Sequence, residues 1–181
     1  MNVLKQLYLT SDYHDKSGMI FNADCMELMS NIKQDGVFDV TLTDIPYDMV
    51  NRKDNGLRNL NKDKADIITF PSPMNGQHIY LSGIENAIWF KKRGATFNAH
   101  CKNTVFEFPS GRSKIHPTEK NHELIKDLIL DNSNEGDIIF DPCAGSLAHC
   151  LVAKENGRRY VGCELQKEYF DKGIERLKEQ K

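Results

Sequence analysis

Three short stretches of this chain combine residue types that could do chemistry. The first, TDIPY at 43–47, sets an acid, a proline and an aromatic side by side. That grouping suits one task, making the exocyclic amine of a nucleic-acid base nucleophilic. The lone pair of such an amine is delocalised into the ring, and acceptors for its hydrogens bring the nitrogen nearer to sp³ geometry. Asp44 can supply one acceptor. The main-chain carbonyl ahead of Pro46, whose direction the proline fixes, can supply a second. Tyr47 can stack on a base flipped out of a duplex. The plain alternative is a strand-end turn with an Asp cap.

The second stretch, DPCAGS at 141–146, follows the apolar run GDIIF and precedes a helical pattern. A small, glycine-containing turn there lets a ligand approach the backbone at the carboxyl edge of a sheet, beside a helix N-terminus. Glu164 ends the next apolar run, 23 residues after Asp141, where a carboxylate can accept from ribose hydroxyls. The third stretch, HPTEK at 116–120, reads as the opening of a helix. Thr118 and the first backbone N–H groups of that helix could hold an anionic or polar group. An ordinary βα turn with a chance acid, and a plain capping turn, are the alternatives for these two.

The elements that must position these stretches follow from periodicity. MIFN (19–22) reads as a strand, followed by a helix with Asp24 as N-cap and Met26, Leu28, Met29 and Ile32 on its apolar face. VFDVTLTD (37–44) reads as a strand ending in an acid, and the Asn- and Lys-rich 45–64 as a loop. Residues 77–92 read as a hairpin around Ser82 and Gly83, with Trp89 in its core, and 104–108 as a strand. A helix over 117–132 starts at Pro117 and carries Leu124, Ile125, Leu128 and Ile129. Strand 137–141, a helix with Leu147, Leu151 and Val152, strand 159–165 and a final helix with Tyr169, Phe170, Ile174 and Leu177 complete the chain. Alternating strands and helices with near-continuous apolar strands predict an α/β fold, a mainly parallel sheet with helices on both faces.

Composition narrows the function classes. The 181 residues are 39% hydrophobic and 28% charged, enough for a core and compatible with a single domain over 1–181. No apolar run approaches a membrane span, so no membrane association is expected, and no signal peptide is read at the N-terminus. Five cysteines without a C-x-x-C pair argue against a zinc site or a disulfide framework, so no metal is expected and a cytoplasmic location is the default. The net charge of −2 conceals an asymmetry: residues 51–120 hold 12 Lys/Arg against 6 Asp/Glu, and the remainder 12 against 20. A basic middle in an acidic chain is either a solvated face or a surface for an anionic partner such as nucleic acid.

Together, TDIPY, IHPTEK, FDPCAGS and RYVGCEL resemble the S-adenosylmethionine-dependent DNA amino-methyltransferases, which methylate adenine N6 or cytosine N4. Their order, catalytic motif first and glycine motif near the C-terminus, is that of the permuted β-class. The resemblance covers roughly 19–47 and 77–179. It implies a Rossmann-like methyltransferase fold with an antiparallel hairpin, and S-adenosylmethionine as cofactor. Asp141, Pro142, Ala144, Gly145 and Ser146 would line the methionine end of that cofactor. Glu164 would take the ribose, Asp24 would lie near the adenine, and His116, Pro117, Thr118 and Lys120 match a cofactor-side motif. Asp44, Ile45, Pro46 and Tyr47 would hold the target base, with direct methyl transfer and no covalent intermediate. Asp at the first catalytic position favours adenine N6. Double-stranded DNA is the implied partner, contacted by Arg52, Lys53 and Arg58 in a mobile loop over 48–66 and by Lys91, Lys92, Arg93, Arg112 and Lys114. Residues 94–113 would form a short target-recognition segment. A homodimer and a cognate restriction nuclease stay open as further partners.

The chain also departs from the family. Ile45 replaces a proline, with little loss expected. Leu147 stands where a glycine is usual, and its side chain is expected to obstruct the approach of cofactor to backbone. Residues 67–70 run directly into PSPMNG, where the family has a further strand between two helices. The sequence therefore reads as carrying a deletion of about 50 residues between Phe70 and Pro71. The competing readings are a truncated or degenerate relative that binds without turnover, and an RNA or cytosine-N4 methyltransferase.

Overall fold

In the computed structural model the described residues are 3–44, 87–103, 105–108 and 119–179. The chain divides into two compact units, one formed by 1–45 with 94–181 and the other by 46–93. In the second unit only 87–93 are described, and they carry no helix or strand.

The first unit is an α/β sandwich. Its elements are α1 (Val3–Thr10), β1 (Tyr13–His14), β2 (Gly18–Phe21), α2 (Cys25–Ser30), β3 (Val40–Thr41), α3 (His122–Asn132), β4 (Ile138–Asp141), α4 (Ala148–Glu155), β5 (Arg159–Cys163) and α5 (Lys167–Glu179). The sheet order is β1-β2-β5-β4-β3. β2, β5, β4 and β3 run parallel, and β1 pairs antiparallel with β2. The sheet is thus mixed and mostly parallel, a Rossmann-like arrangement flanked by helices. Met19, Phe21, Ile138, Phe140, Val161 and Cys163 pack with Leu7 of α1 and Leu28 of α2. Ile20, Ile139 and Tyr160 pack on α3, α4 and α5. Alternation along each strand sends successive side chains to opposite faces, which is why the strand sequences are apolar throughout.

Several local expectations change. α1 and β1 precede the first strand read from sequence. They are short, and β1 exists through its pairing with β2, a partner that periodicity does not reveal. α3 begins at His122 rather than Pro117, because Asn121 caps it and accepts from the N–H groups of Glu123 and Leu124. Residues 105–108 form no strand. The 77–92 hairpin lies outside the described residues up to 86, and 87–92 carry no strand. Trp89 is 58% exposed, so it is not core there. The loop 45–64 and the junction at 70–71 lie outside the described residues. Residues 94–103 follow the C-terminal end of α3. The Asn98 side-chain amide donates to the carbonyls of Leu130 and Ser133, and Lys102 pairs with Asp127 and Asp131.

Candidate active site

Parallel strands bring their carboxyl ends to one edge, and here each of the four delivers an acid to it. Asp24 follows β2, Asp44 follows β3, Asp141 ends β4 and Glu164 follows β5. Such an edge is where open α/β sheets bind ligands.

The DPCAGS turn is built by hydrogen bonds from its own acids. Asp141 is 1% exposed. Its Oδ1 accepts from the N–H of Cys143 at 3.1 Å, and Oδ2 meets Nδ1 of His149 on α4 at 2.5 Å. Glu164 is also buried, and its two oxygens accept from the N–H groups of Gly145 and Gln166, both at 2.7 Å. The N–H of Ala144 donates to the carbonyl of Cys163, tying the turn to β5. Gly145 has φ +50°, a conformation in which glycine carries no Cβ penalty. Both carboxylates therefore shape the turn, and each oxygen of Glu164 keeps a lone pair for a further donor. Asn22, unremarked in the sequence, pins the same region by donating to the carbonyls of Glu164 and Leu165. Its signal is its place at the end of the MIFN run, two residues before Asp24. Asp24 is exposed and caps α2, with Oδ1 accepting from Met26.

Leu147 does not obstruct this edge. It adopts a left-handed backbone conformation, φ 59° and ψ 26°, and is completely buried. Its side chain occupies the space that Gly173 of α5 leaves open, since a Cβ on Gly173 would lie 2.8 Å from Leu147 Cδ1 and nearer still to Cγ. The backbone at 147 costs about 1–2 kcal/mol for a residue with a Cβ, and a well-packed leucine offsets it. The expectation of a blocked cofactor fails because the side chain is turned into the core among Phe170, Ile174 and Leu177.

On the other side of the edge, Asp44 pairs with Lys120 at 3.4 Å, with both side chains partly exposed. Lys120 of the HPTEK stretch thus meets the candidate catalytic acid. Glu119 joins that stretch to the turn and to α5: it binds His122 and Arg176, each at 3.0 Å, and takes a hydrogen bond from Ser146. Burial pushes its carboxyl up, but the bonds from His122, Arg176 and Ser146 prevail and hold it at about 2. Arg176 stands far from Glu119 in sequence, and His149, three residues beyond the DPCAGS stretch, matches no motif; the fold identifies both. Burial, then the neighbouring Cys25 and Asp141, push the Cys143 thiol up to about 12. Burial and Cys25 do the same for Cys163. Neither thiol is a nucleophile at neutral pH.

The structure brings together Asp24, Asp44, Lys120, Asp141, Pro142, Ala144, Gly145, Ser146 and Glu164 in the first unit. Pro46, Tyr47, His116, Thr118, Arg52, Lys53, Arg58, Arg112 and Lys114 lie outside the described residues. Lys91, Lys92 and Arg93 are described and exposed. No described helix is long and apolar enough to cross a membrane.

Fold and edge define the class, an α/β protein with a glycine-containing turn at its sheet edge and an acid on the adjacent strand end. A family model for DNA methylases acting at N6 or N4 matches residues 84–175, half of the chain, and the chain belongs to that family. Over 78 residues it is 42% identical to the DNA adenine methyltransferase YhdJ of Escherichia coli (strain K12), covering 40% of this chain and 26% of that protein. Over 96 residues it is 40% identical to the orphan methyltransferase M.BamHII of Bacillus amyloliquefaciens, covering 49% and 34%. The chain spans about a quarter to a third of the length of these relatives. The crystal structure of the M1.HpyAVI–SAM complex shares its fold, with a TM-score of 0.60 over 88% of this chain and 99% of that one at 20% identity.

Proposed function

We propose that the chain serves S-adenosylmethionine-dependent methylation of adenine N6 in duplex DNA. The observation that carries this reading is the delivery of Asp44 to the same sheet edge as the turn held by Asp141 and Glu164. The donor set suits the cofactor, which presents ribose hydroxyls, an ammonium and a sulfonium to an edge rich in acceptors. The Thr43 hydroxyl lies at the same edge, beside the Cys143 thiol of the turn.

In this reading Glu164 accepts from the ribose through its remaining lone pairs, Asp24 lies beside the adenine, and 141–146 receive the methionine end. When bound, S-adenosylmethionine supplies an electrophilic methyl group. Asp44 accepts a hydrogen from the base amine and localises its lone pair, and Lys120 holds that carboxylate in place. The carbonyl before Pro46 and the ring of Tyr47 take the second hydrogen and the base face, and His116 and Thr118 complete the cofactor side. Catalysis is then positioning and electrostatics. The family relation to YhdJ and the aspartate at 44 support adenine over cytosine. Lys91, Lys92 and Arg93 contribute phosphate contacts, together with the other basic residues of 51–120.

The test is transfer of tritiated methyl from S-adenosylmethionine to duplex DNA, single-stranded DNA and RNA, with digestion to nucleosides. Label in N6-methyl-2′-deoxyadenosine from duplex DNA, lost in Asp44→Ala, is the expected result. Label at cytosine N4 or in RNA alone would redirect the reading, and transfer that survives Asp44→Ala would overturn the mechanism.

A further inference from the structure

Two carboxylates stand at neighbouring strand ends of this site. β3 pairs with β4 in the register Thr41 to Phe140, so Asp141 and the segment leading to Asp44 leave the sheet side by side. Like charges so placed repel, and each has a basic side chain against it. Lys120 serves Asp44 from the partly exposed side. His149 serves Asp141 from within α4, with one tenth of its side chain exposed. The family reading uses Asp141 and Asp44 but gives His149 no part.

We infer that His149 is a positioning residue of this site: its Nδ1 donates to the Asp141 carboxylate of the turn, and its imidazolium charge ties that carboxylate to Asp44 on the adjacent strand end. Three charged groups act on the ring. They are Asp141 from β4, Asp44 beyond β3 and Lys120 ahead of α3. Burial disfavours the imidazolium most strongly, but the attraction of Asp141 and then Asp44 prevails over it and over Lys120, so its pKa lies above 6.5. Cys150, on the same helix, is held neutral by burial and by Asp141.

A histidine raised in this way gives stability that is fully present below pH 6.5 and is lost as pH rises through the higher value of the folded state. Losing the proton removes the positive charge beside Asp141, with Asp44 following the adjacent strand. The turn then loosens, and ligand binding weakens on the alkaline side. The effect on cofactor rests on the methyltransferase reading, whereas the electrostatic link between His149 and Asp44 does not.

The experiment follows the imidazole of His149 by NMR in the full chain, in wild type and in Asp44→Asn, and measures S-adenosylhomocysteine binding by calorimetry across the same pH range. The wild-type midpoint should lie above 6.5 and fall in Asp44→Asn. Affinity for S-adenosylhomocysteine should drop about tenfold as pH rises through the midpoint. His149→Gln, which retains a donor for Asp141, should stay folded and bind without that pH dependence. A midpoint unmoved by Asp44→Asn, or an unaltered pH dependence in His149→Gln, would overturn the inference. If S-adenosylhomocysteine binds at no pH, the proposed function falls, and the midpoint shift alone supports or overturns the link.

Discussion

The two halves of the sheet edge are built differently. In the half made by β4, β5 and the turn between β4 and α4, the acids are buried and each oxygen has a partner: Asp141 with Cys143 and His149, Glu164 with Gly145 and Gln166. In the half made by β3, a strand of two residues, Asp44 is partly exposed and meets Lys120 at 3.4 Å. The first half is pre-shaped by its own hydrogen bonds. The second holds its acid in a partly exposed ion pair. Burial makes the first half intolerant of change in the protein alone, and exposure leaves the second to matter chiefly to the proposed chemistry.

That contrast can be broken by substitution. Asp141→Ala strands a buried histidine and an unpaired N–H, and should cost about 3–5 kcal/mol in chemical denaturation. A cost under about 1 kcal/mol would show that the turn is not held as described. Leu147→Gly removes a buried side chain while relieving a left-handed backbone, so the net loss should be about 2–4 kcal/mol. Under the blocked-cofactor expectation the same variant would gain affinity for S-adenosylhomocysteine; calorimetry should find no gain. Glu164→Gln weakens the bonds to Gly145 and Gln166, and about 1–3 kcal/mol of stability should go, together with cofactor affinity. Asp44→Asn closes the series. Its melting should stay within about 1 kcal/mol of wild type, because exposed pairs contribute little. Methyl transfer should fall about 10²–10⁴-fold. Equal destabilisation by Asp44→Asn and Asp141→Ala would erase the distinction between the halves.

Much of this was legible in the chain before any fold. The four parallel strands match the apolar runs at 19–22, 37–43, 137–141 and 159–163, though β3 is reduced to Val40–Thr41. Asp24 was readable as the cap of α2 because a capping carboxylate acts within three residues of itself. The start of α3 was misread because Pro117 is a good first helical residue, whereas Asn121 offers a cap four residues later. Trp89 was misplaced because an aromatic in an apolar run looks like core until its neighbours are known.

The sequence by itself determined the elements and the motifs, since period, capping and turn chemistry act over a few residues. Only the tertiary structure decided the partners: His149 for Asp141, Arg176 for Glu119, Gly173 for Leu147 and Asn22 for the backbone at Glu164. Except for His149, these contacts join segments separated by 19 or more residues, and a local pattern carries no record of them. His149 lies eight residues from Asp141 across the turn, yet its contact with Asp141 is visible only once α4 is packed beside the end of β4.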